Sequence, residues 1–504
     1  MLADAPLNDA LVGLEPAELW RQFDAIRKIP RPSTHEEGVR AYLRELGASA
    51  GWETLEDTAG NLVLRVPGRG RGVNAELLAI QGHMDMVCEK RAGIEHDFLR
   101  DPIALERTHA QFKGVTREVL QARGTTLGSD NGLGCAAALA LALTPGLHHP
   151  PLELLFTADE EEGMSGALGL DPNMLRARRL LNFDGELEGH VYLSCAGGRE
   201  MLASWELDRS QRCSDDVAVR LQISGLRGGH SGVDIHEQRG SALALLIALL
   251  TAPGVDLEGV RVASCNGGGR PNAIPREVDT LLWCARSHVA GLEAAIERAA
   301  EDLRSALATI DPGLEIRFSI LDPELAEAVP APVSATTSRA ILEALRAQRH
   351  GVLTWSTVIP GLVETSNNVA AITTTDERME LIQMCRSSKA GAVEAFQARC
   401  ELALEASGAE VVTMHAFPGW EARLDTELVG KAQSVYTALF GRAPKLEAIH
   451  AGLECGVLGD RIPGLEMISF GPDIFDAHTP TESLVLDSVE PFWRFVVALV
   501  QALI

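Results

Sequence analysis

The sequence is short of positive charge: 45 lysines and arginines face 70 aspartates and glutamates, a formal net charge of −25. Nucleic acid and anionic membrane surfaces would be repelled by that balance, so neither is expected as a partner. There is no apolar run long enough to span a bilayer, and the greasiest stretch, residues 136–143, is far too short. The first ten residues carry Asp4 and Asp9 and no basic cluster, which does not read as a secretory signal. There is no Cys-x-x-Cys pair. The nine cysteines are scattered, and an odd number spread thinly over a large chain reads as reduced thiols in a cytoplasmic protein. Also missing are His-Glu-x-x-His, Gly-x-Ser-x-Gly and a Walker loop, so the short motifs of several large enzyme classes are excluded.

What is present is ordinary for a folded protein: 46% apolar and 23% charged residues over 504 positions, more than one hydrophobic core usually fills. The first two hundred residues alternate helical and strand patterns. Residues 17–27 have helical periodicity, and 33–46 open with Thr34 and Glu37 at capping-box spacing. Residues 77–81, 152–157 and 179–183 are continuous apolar runs of the kind found in buried parallel strands, and 132–143 reads as a helix of small residues. After Gly197-Gly198 the style changes to half-exposed alternating strands (216–224, 277–286, 314–321, 368–374, 379–386) and helices (241–250, 288–310, 334–349). From about residue 418 the first style returns, with a helix near 428–439 and a strand at 466–470. The expectation is an α/β domain with a mixed sheet, residues 1–198 and 409–504, interrupted by an inserted α+β domain, residues 199–408.

Five segments of the α/β part end in acidic or imidazole groups where a buried strand stops: Gly82-His83-Met84-Asp85, Gly128-Ser129-Asp130-Asn131-Gly132, Asp159-Glu160-Glu161-Glu162-Gly163, Asn182-Phe183-Asp184-Gly185 and Ala477-His478-Thr479-Pro480. Open α/β sheets form their sites at the carboxyl ends of strands. Carboxylates crowded there repel one another unless a cation neutralises them, and imidazole with carboxylate suits Zn²⁺, with Co²⁺ or Mn²⁺ also accepted. Two histidines with three acids exceed the need of one tetrahedral ion and suit two ions sharing a bridging carboxylate. Taken singly, each motif has a plainer use: Asp130 as a helix cap, the three glutamates as a solvated face, His148-His149 as a solvated turn. Co-occurrence at strand ends is what favours the metal reading. Gly132-x-Gly134-x-x-Ala137 mimics a dinucleotide loop, but Asp130 would face the pyrophosphate and no buried strand precedes it.

These segments resemble the di-zinc peptidases of the carboxypeptidase G2/aminoacylase/PepV type, and within them the cytosolic Xaa-His dipeptidases. Further matches are Ser33-x-His35-Glu36-Glu37, Arg123-Gly124-Thr125-Thr126-Leu127-Gly128, Cys195-Ala196-Gly197-Gly198, Gly228-Gly229-His230-Ser231-Gly232, Asn272-Ala273-Ile274-Pro275-Arg276-Glu277, Val363-Glu364-Thr365-Ser366 and His450-Ala451-Gly452-Leu453-Glu454-Cys455-Gly456. The resemblance implies two divalent ions per chain, held by His83, Asp130 as the bridge, Glu161, Asp184 and His478. It implies that Asp85 fixes the His83 tautomer and that Glu160 is the general base for a water bridging the metals. It makes the inserted domain a lid and dimerisation domain, with His230 on the tetrahedral oxyanion and Asn272 and Arg386 on the substrate carboxylate. It leaves open whether His230 serves its own chain or a partner's, and His450 stays unassigned. Glu162 and the long segment 107–121 depart from the usual pattern. The implied activity is hydrolysis of short peptides, Xaa-His among them, by a cytoplasmic homodimer. The competing readings are an N-acyl amino acid deacylase with the same metal chemistry and a catalytically silent scaffold.

Overall fold

The computed structural model describes residues 6–357, 359 and 361–504. The chain divides into two compact units. One takes in the chain up to Ser194 with Ala422–Ala448 and Leu453–Ile504, and the other takes in Cys195–Glu421 with Ile449–Gly452.

The first unit is built on an eight-stranded mixed sheet in the order Glu53–Glu56, Leu62–Val66, Leu152–Thr157, Leu78–His83, Arg179–Asn182, Glu466–Ser469, His190–Cys195, Lys445–Ile449. Strands Leu152–Thr157, Leu78–His83, Arg179–Asn182 and Glu466–Ser469 run parallel to one another, flanked antiparallel by Leu62–Val66 and His190–Cys195. They are the continuous apolar runs of the sequence because both faces are covered. Register sets His83 opposite Thr157 and Gln81 opposite Asn182, so the strand ends that carry the acidic motifs lie side by side.

Helix Ser129–Leu143 packs under this edge, buried along nearly its whole length. Its small residues are what allow that approach: a Cβ on Gly134 would lie 2.5 Å from the carbonyl oxygen of Phe183. The capping box at Thr34 and Glu37 does not form. The helix is Glu37–Ala50 with Glu36 as its N-cap and no side-chain cap bond; Thr34 sits at φ 65°, and Glu36 accepts the Thr34 N–H at 2.8 Å instead. His149, expected in a solvated turn, is fully buried. Segment 107–121 forms most of a hairpin, Leu105–Phe112 with Val115–Ala122, which continues through Ser483–Val485 and Ile474–Phe475 as a four-stranded sheet.

The second unit is a nine-stranded antiparallel sheet ordered Glu315–Ile320, Asp216–Ser224, Val278–Ala285, Val260–Gly268, Val363–Thr374, Arg378–Ser387, Gly197–Glu206, Glu410–Phe417, with Gly351–Trp355 also paired to Val363–Thr374. Helices Ala242–Leu250, Arg286–Leu307, Ala335–Ala347 and Ala392–Ala406 share one apolar core with it. Ser241 and Ser334 cap two of them through side-chain bonds to Ala244 and Thr337.

The first core is closed by aromatic packing on the last helix, Leu486–Ala502, where Phe492 meets Phe183 edge-on at 5.6 Å and Phe470 at 5.9 Å. Phe492→Ala should therefore destabilise the first unit by about 3–5 kcal/mol. Amide hydrogen exchange checks this: strand Arg179–Asn182 should lose protection while strands of the second unit keep theirs.

Candidate metal centre

The carboxyl ends of the parallel strands place the acidic motifs within one crevice of the first unit. His83 closes its strand with a side chain 1% exposed. Its Nδ1 meets Asp85 Oδ1 at 3.2 Å, and its Nε2 lies 3.0 Å from Asp130 Oδ1 and 3.3 Å from Asp184 Oδ1. His478 reaches the same cluster from a loop, its Nε2 3.2 Å from Asp130 Oδ2 and 3.0 Å from Glu161 Oε2. Asp130 thus has one oxygen toward each histidine, and its backbone is non-helical inside Ser129–Leu143. It does not cap that helix. His83, Asp130 and Glu161 each offer a donor atom within 4.8 Å of one another. The sequence-derived set His83, Asp130, Glu161, Asp184 and His478 is therefore brought together, with Asp85 and Glu160 beside it.

The two glutamates sit not on the strand, which ends at Thr157, but on a one-turn helix, Glu160–Gly163, entered through Asp159 at φ 53°. Adjacent helical positions diverge by roughly 100°, which separates the Glu160 and Glu161 side chains as well as a strand would. The Glu161 side chain is 3% exposed, whereas Glu162 is solvated. Asp85 does more than orient His83: its two oxygens also accept the backbone N–H of Glu160 at 3.0 Å and of Glu161 at 3.1 Å, and Ser33 Oγ donates to it at 2.7 Å.

Several supporting groups lay beyond the sequence reading. Asn131 Nδ2 donates to Asp184 Oδ1 at 2.6 Å and to the Phe183 carbonyl at 2.7 Å, holding Asp184 in place. Arg31, 2% exposed, spends its guanidinium on the carbonyls of Met84, Asp85 and Gly128, tying together the segments that carry His83 and Asp130. Glu454, fully buried, accepts from Gln81 Nε2 at 2.6 Å and Thr157 Oγ1 at 2.7 Å. Each partner is distant in sequence, so no local spacing could have flagged them.

Electrostatics follow from the crowding. Burial disfavours charge on every group here. On His83 the carboxylates of Asp184, Asp130 and Asp85 overcome it and raise the imidazole well above the ordinary histidine range. Bonds to Asp130 and Glu161 lift His478 to about 11. The two histidines in turn hold Asp130 well below the usual carboxylate range, and His83 with Ser33 holds Asp85 at about 2. Burial, then Glu161, Asp184 and Glu454, push Glu160 far up. Burial and Asp130 raise Glu161 and Asp184, and burial with neighbouring carboxylates raises Glu186 and Glu454 to about 8. Glu161 Oε1 is buried without a hydrogen-bond partner. Imidazole and carboxylate donors, excess negative charge and an orphaned carboxylate oxygen fit a divalent cation.

His230, Asn272 and Arg386 belong to the second unit. His230 lies on a short strand paired to Ala273, and its Nδ1 accepts the N–H groups of Gly232 at 3.1 Å and Val233 at 3.2 Å. Asn272 is exposed on a loop held by Asn368 Nδ2, which donates to the Pro271 and Ala273 carbonyls at 2.9 Å each. Arg386, 5% exposed, faces Ser366 across strand pairing; burial lowers its pKa to about 10, and its Nε has no partner. Ser366 Oγ and His450 Nε2 are 2.8 Å apart.

Comparison with known proteins gives consistent matches. The family described as Peptidase family M20/M25/M40 matches residues 79–502. The cytosol non-specific dipeptidase of Escherichia coli (strain K12) is 34% identical over 488 residues, covering 97% of this chain and 98% of the relative. The crystal structure of aminoacylhistidine dipeptidase from Vibrio alginolyticus superposes with a TM-score of 0.87 at 33% identity, covering 98% of each chain. Aminopeptidase PepT from Bacillus cereus ATCC 10987 shares the fold, with a TM-score of 0.54 at 14% identity over 97% of this chain and 99% of that one.

The raised groups predict proton release on metal binding. Glu160, Glu161, Asp184 and both histidines carry protons to higher pH than usual in the cation-free protein, and a ligand must shed its proton to bind. Affinity for Zn²⁺ should rise with pH from the ordinary carboxylate range upward and should still be rising at about pH 8, because His478 holds its proton to about 11. Calorimetry in buffers of different ionisation enthalpy should show roughly one proton or more released per chain. Binding without proton release would contradict the charge state described.

Proposed function

The chain belongs to peptidase family M20/M25/M40, and we propose that it is a metal-dependent dipeptidase hydrolysing free short peptides, Xaa-His dipeptides among them. The observation that carries this reading is the pairing of a complete imidazole–carboxylate donor set with Glu160, whose backbone is pinned by Asp85 beside the ligand Glu161. The names of the two relatives at 33–34% identity, a non-specific dipeptidase and an aminoacylhistidine dipeptidase, support the substrate class.

In this reading His83, Asp130, Glu161, Asp184 and His478 would hold two divalent ions, zinc being the best fit to the donors. When bound, such ions polarise a carbonyl and make water a stronger acid and nucleophile near neutral pH. Asp85 fixes His83 with Nε2 toward the metal side, because its bond to Nδ1 settles the tautomer. Glu160 accepts a proton from the attacking water as the C–O bond forms, then delivers it to the leaving nitrogen as the C–N bond breaks. Its carboxyl, crowded by Glu161, Asp184 and Glu454, is suited to hold that proton between the two steps.

His230 serves as an oxyanion donor. With Nδ1 accepting two backbone N–H groups, the neutral ring carries its proton on Nε2. Arg386 stays cationic at neutral pH and, with Asn272, binds the substrate's C-terminal carboxylate. We further propose a homodimer in the cytoplasm; the name of the Escherichia coli relative places that protein in the cytosol.

The assay that decides between enzymes compares Xaa-His dipeptides with N-acetyl amino acids before and after chelation. Dipeptides should be cleaved, N-acetyl amino acids should not, and chelation should abolish turnover. Glu160→Gln should lower kcat by about two or more orders of magnitude with metal content unchanged. Loss of a metal from Glu160→Gln but not from Glu161→Gln would reverse the two assignments. His230→Ala should lower kcat by about 10²–10³ with a smaller change in KM and both ions retained. Near-normal kcat in that variant would remove His230 from the transition state.

A further inference from the structure

His478 is carried on a loop, residues 476–482, whose two ends are fixed as paired strands, Ile474 opposite Leu484 and Phe475 opposite Ser483. The last residue of that loop is Glu482, 2% exposed and without a role in the ligand set. Its carboxylate accepts five hydrogen bonds from the segment that carries Asp130. Oε2 accepts the N–H of Leu127 at 2.8 Å and of Gly128 at 2.9 Å. Oε1 accepts Ser129 N–H at 2.8 Å, Ser129 Oγ at 2.6 Å and Asp130 N–H at 3.4 Å.

We infer that Glu482 is a positioning residue that locks the His478 loop to the Asp130 segment and so holds the shared carboxylate and the distal histidine in one geometry. Four consecutive backbone N–H groups, from Leu127 through the N-cap Gly128 to Ser129 and Asp130, are satisfied by this one buried carboxylate with charge-assisted bonds. Gly128 adopts φ +67°, which turns its N–H toward the same acceptor as its neighbours. The other side of that loop is fixed by Arg31 through the Gly128 carbonyl. Asp130 is therefore held from two directions, by a cation on the carbonyl side and an anion on the N–H side. The His478 Nε2 to Asp130 Oδ2 distance of 3.2 Å is spanned by this clamp across more than three hundred residues of chain. Threonines tighten the loop itself: Thr479 Oγ1 donates to the Asp476 carbonyl at 2.7 Å, and Glu482 N–H donates to the Thr479 carbonyl at 3.0 Å.

This inference rests on the reading of the cluster as a metal centre. Its test measures Zn²⁺ affinity of the full-length protein by competition with a chromophoric chelator. Glu482→Gln keeps the shape but sets an amide donor against backbone donors. It should weaken at least one Zn²⁺ by about 10–100-fold, the range for outer groups that orient ligands. Ser129→Ala removes one of the five donors and should weaken binding roughly three- to tenfold, and it carries the test if Glu482→Gln does not fold. Glu153→Gln is the control for general destabilisation. That glutamate is also fully buried; its carboxylate accepts two backbone N–H groups, from Arg176 at 2.8 Å and Ala177 at 3.0 Å, and Arg65 Nε at 3.2 Å, but bonds neither the Asp130 segment nor the His478 loop. Its Zn²⁺ affinity should equal wild type. Wild-type affinity in Glu482→Gln, or in Ser129→Ala where Glu482→Gln does not fold, would overturn the inference alone, as would an equal loss in Glu153→Gln. Wild-type protein that takes up no Zn²⁺ would overturn the metal centre and the inference with it.

Discussion

Like charges held close together in a poorly solvated crevice set the terms for the first unit. Asp85, Asp130, Glu160, Glu161 and Asp184 crowd around one buried imidazole, and their mutual repulsion would spread them apart were each not fixed by something else. The fixing groups are mostly backbone amides and carbonyls. Asp85 takes two N–H groups from the Glu160–Glu161 turn, Asn131 holds Asp184, and Arg31 grips three carbonyls. Such dipoles cost nothing to reorganise when a cation or a substrate arrives, which is what a preorganised site requires. The residual charge is then the driving force for taking up divalent ions.

The second unit solves a different problem. Its antiparallel sheet shares its main apolar core with four long helices, and along strands Val363–Thr374 and Arg378–Ser387 polar positions are buried as well. Arg386 Nε, His450 Nδ1, Ser231 Oγ and Asn368 Oδ1 are all buried without partners. Unsatisfied buried polar atoms are costly, and each of these has capacity left for a further polar partner. Burial lowers His450 to about 3, so the ring is neutral beside the cationic Arg386. An anionic group is the natural complement to that guanidinium.

Seven of the nine cysteines are buried. Burial pushes Cys135, Cys265 and Cys385 up to about 12, far from thiolate reactivity, and Cys135 packs its thiol against the His83 carbonyl at 3.1 Å. They act as small hydrophobes.

The sequence by itself determined the identity of the donor groups and the parallel strands that carry them. A both-faces-buried strand must be a continuous apolar run, and the acidic and imidazole groups lie at its end or within four residues beyond it, as His83, Glu161 and Asp184 do for Leu78–His83, Leu152–Thr157 and Arg179–Asn182. Information of that kind is local, and so is legible. The inner strand Val260–Gly268, which ends in glycines, and the edge strand Glu410–Phe417, whose exposed positions include Val412 and Met414, gave no such signal. Local spacing also misled at Thr34 and Glu37, because Glu36 found a better use for its carboxylate on the Asp159 N–H, 123 residues away. Only the tertiary structure decided how the ligands are held: Glu482 on the Asp130 segment, Arg31 on Gly128, and the turn that sets Glu160 apart from Glu161. Those bonds join groups between about a hundred and more than three hundred residues apart, and a hydrogen bond depends on distance in space, which the order of residues along a chain does not record.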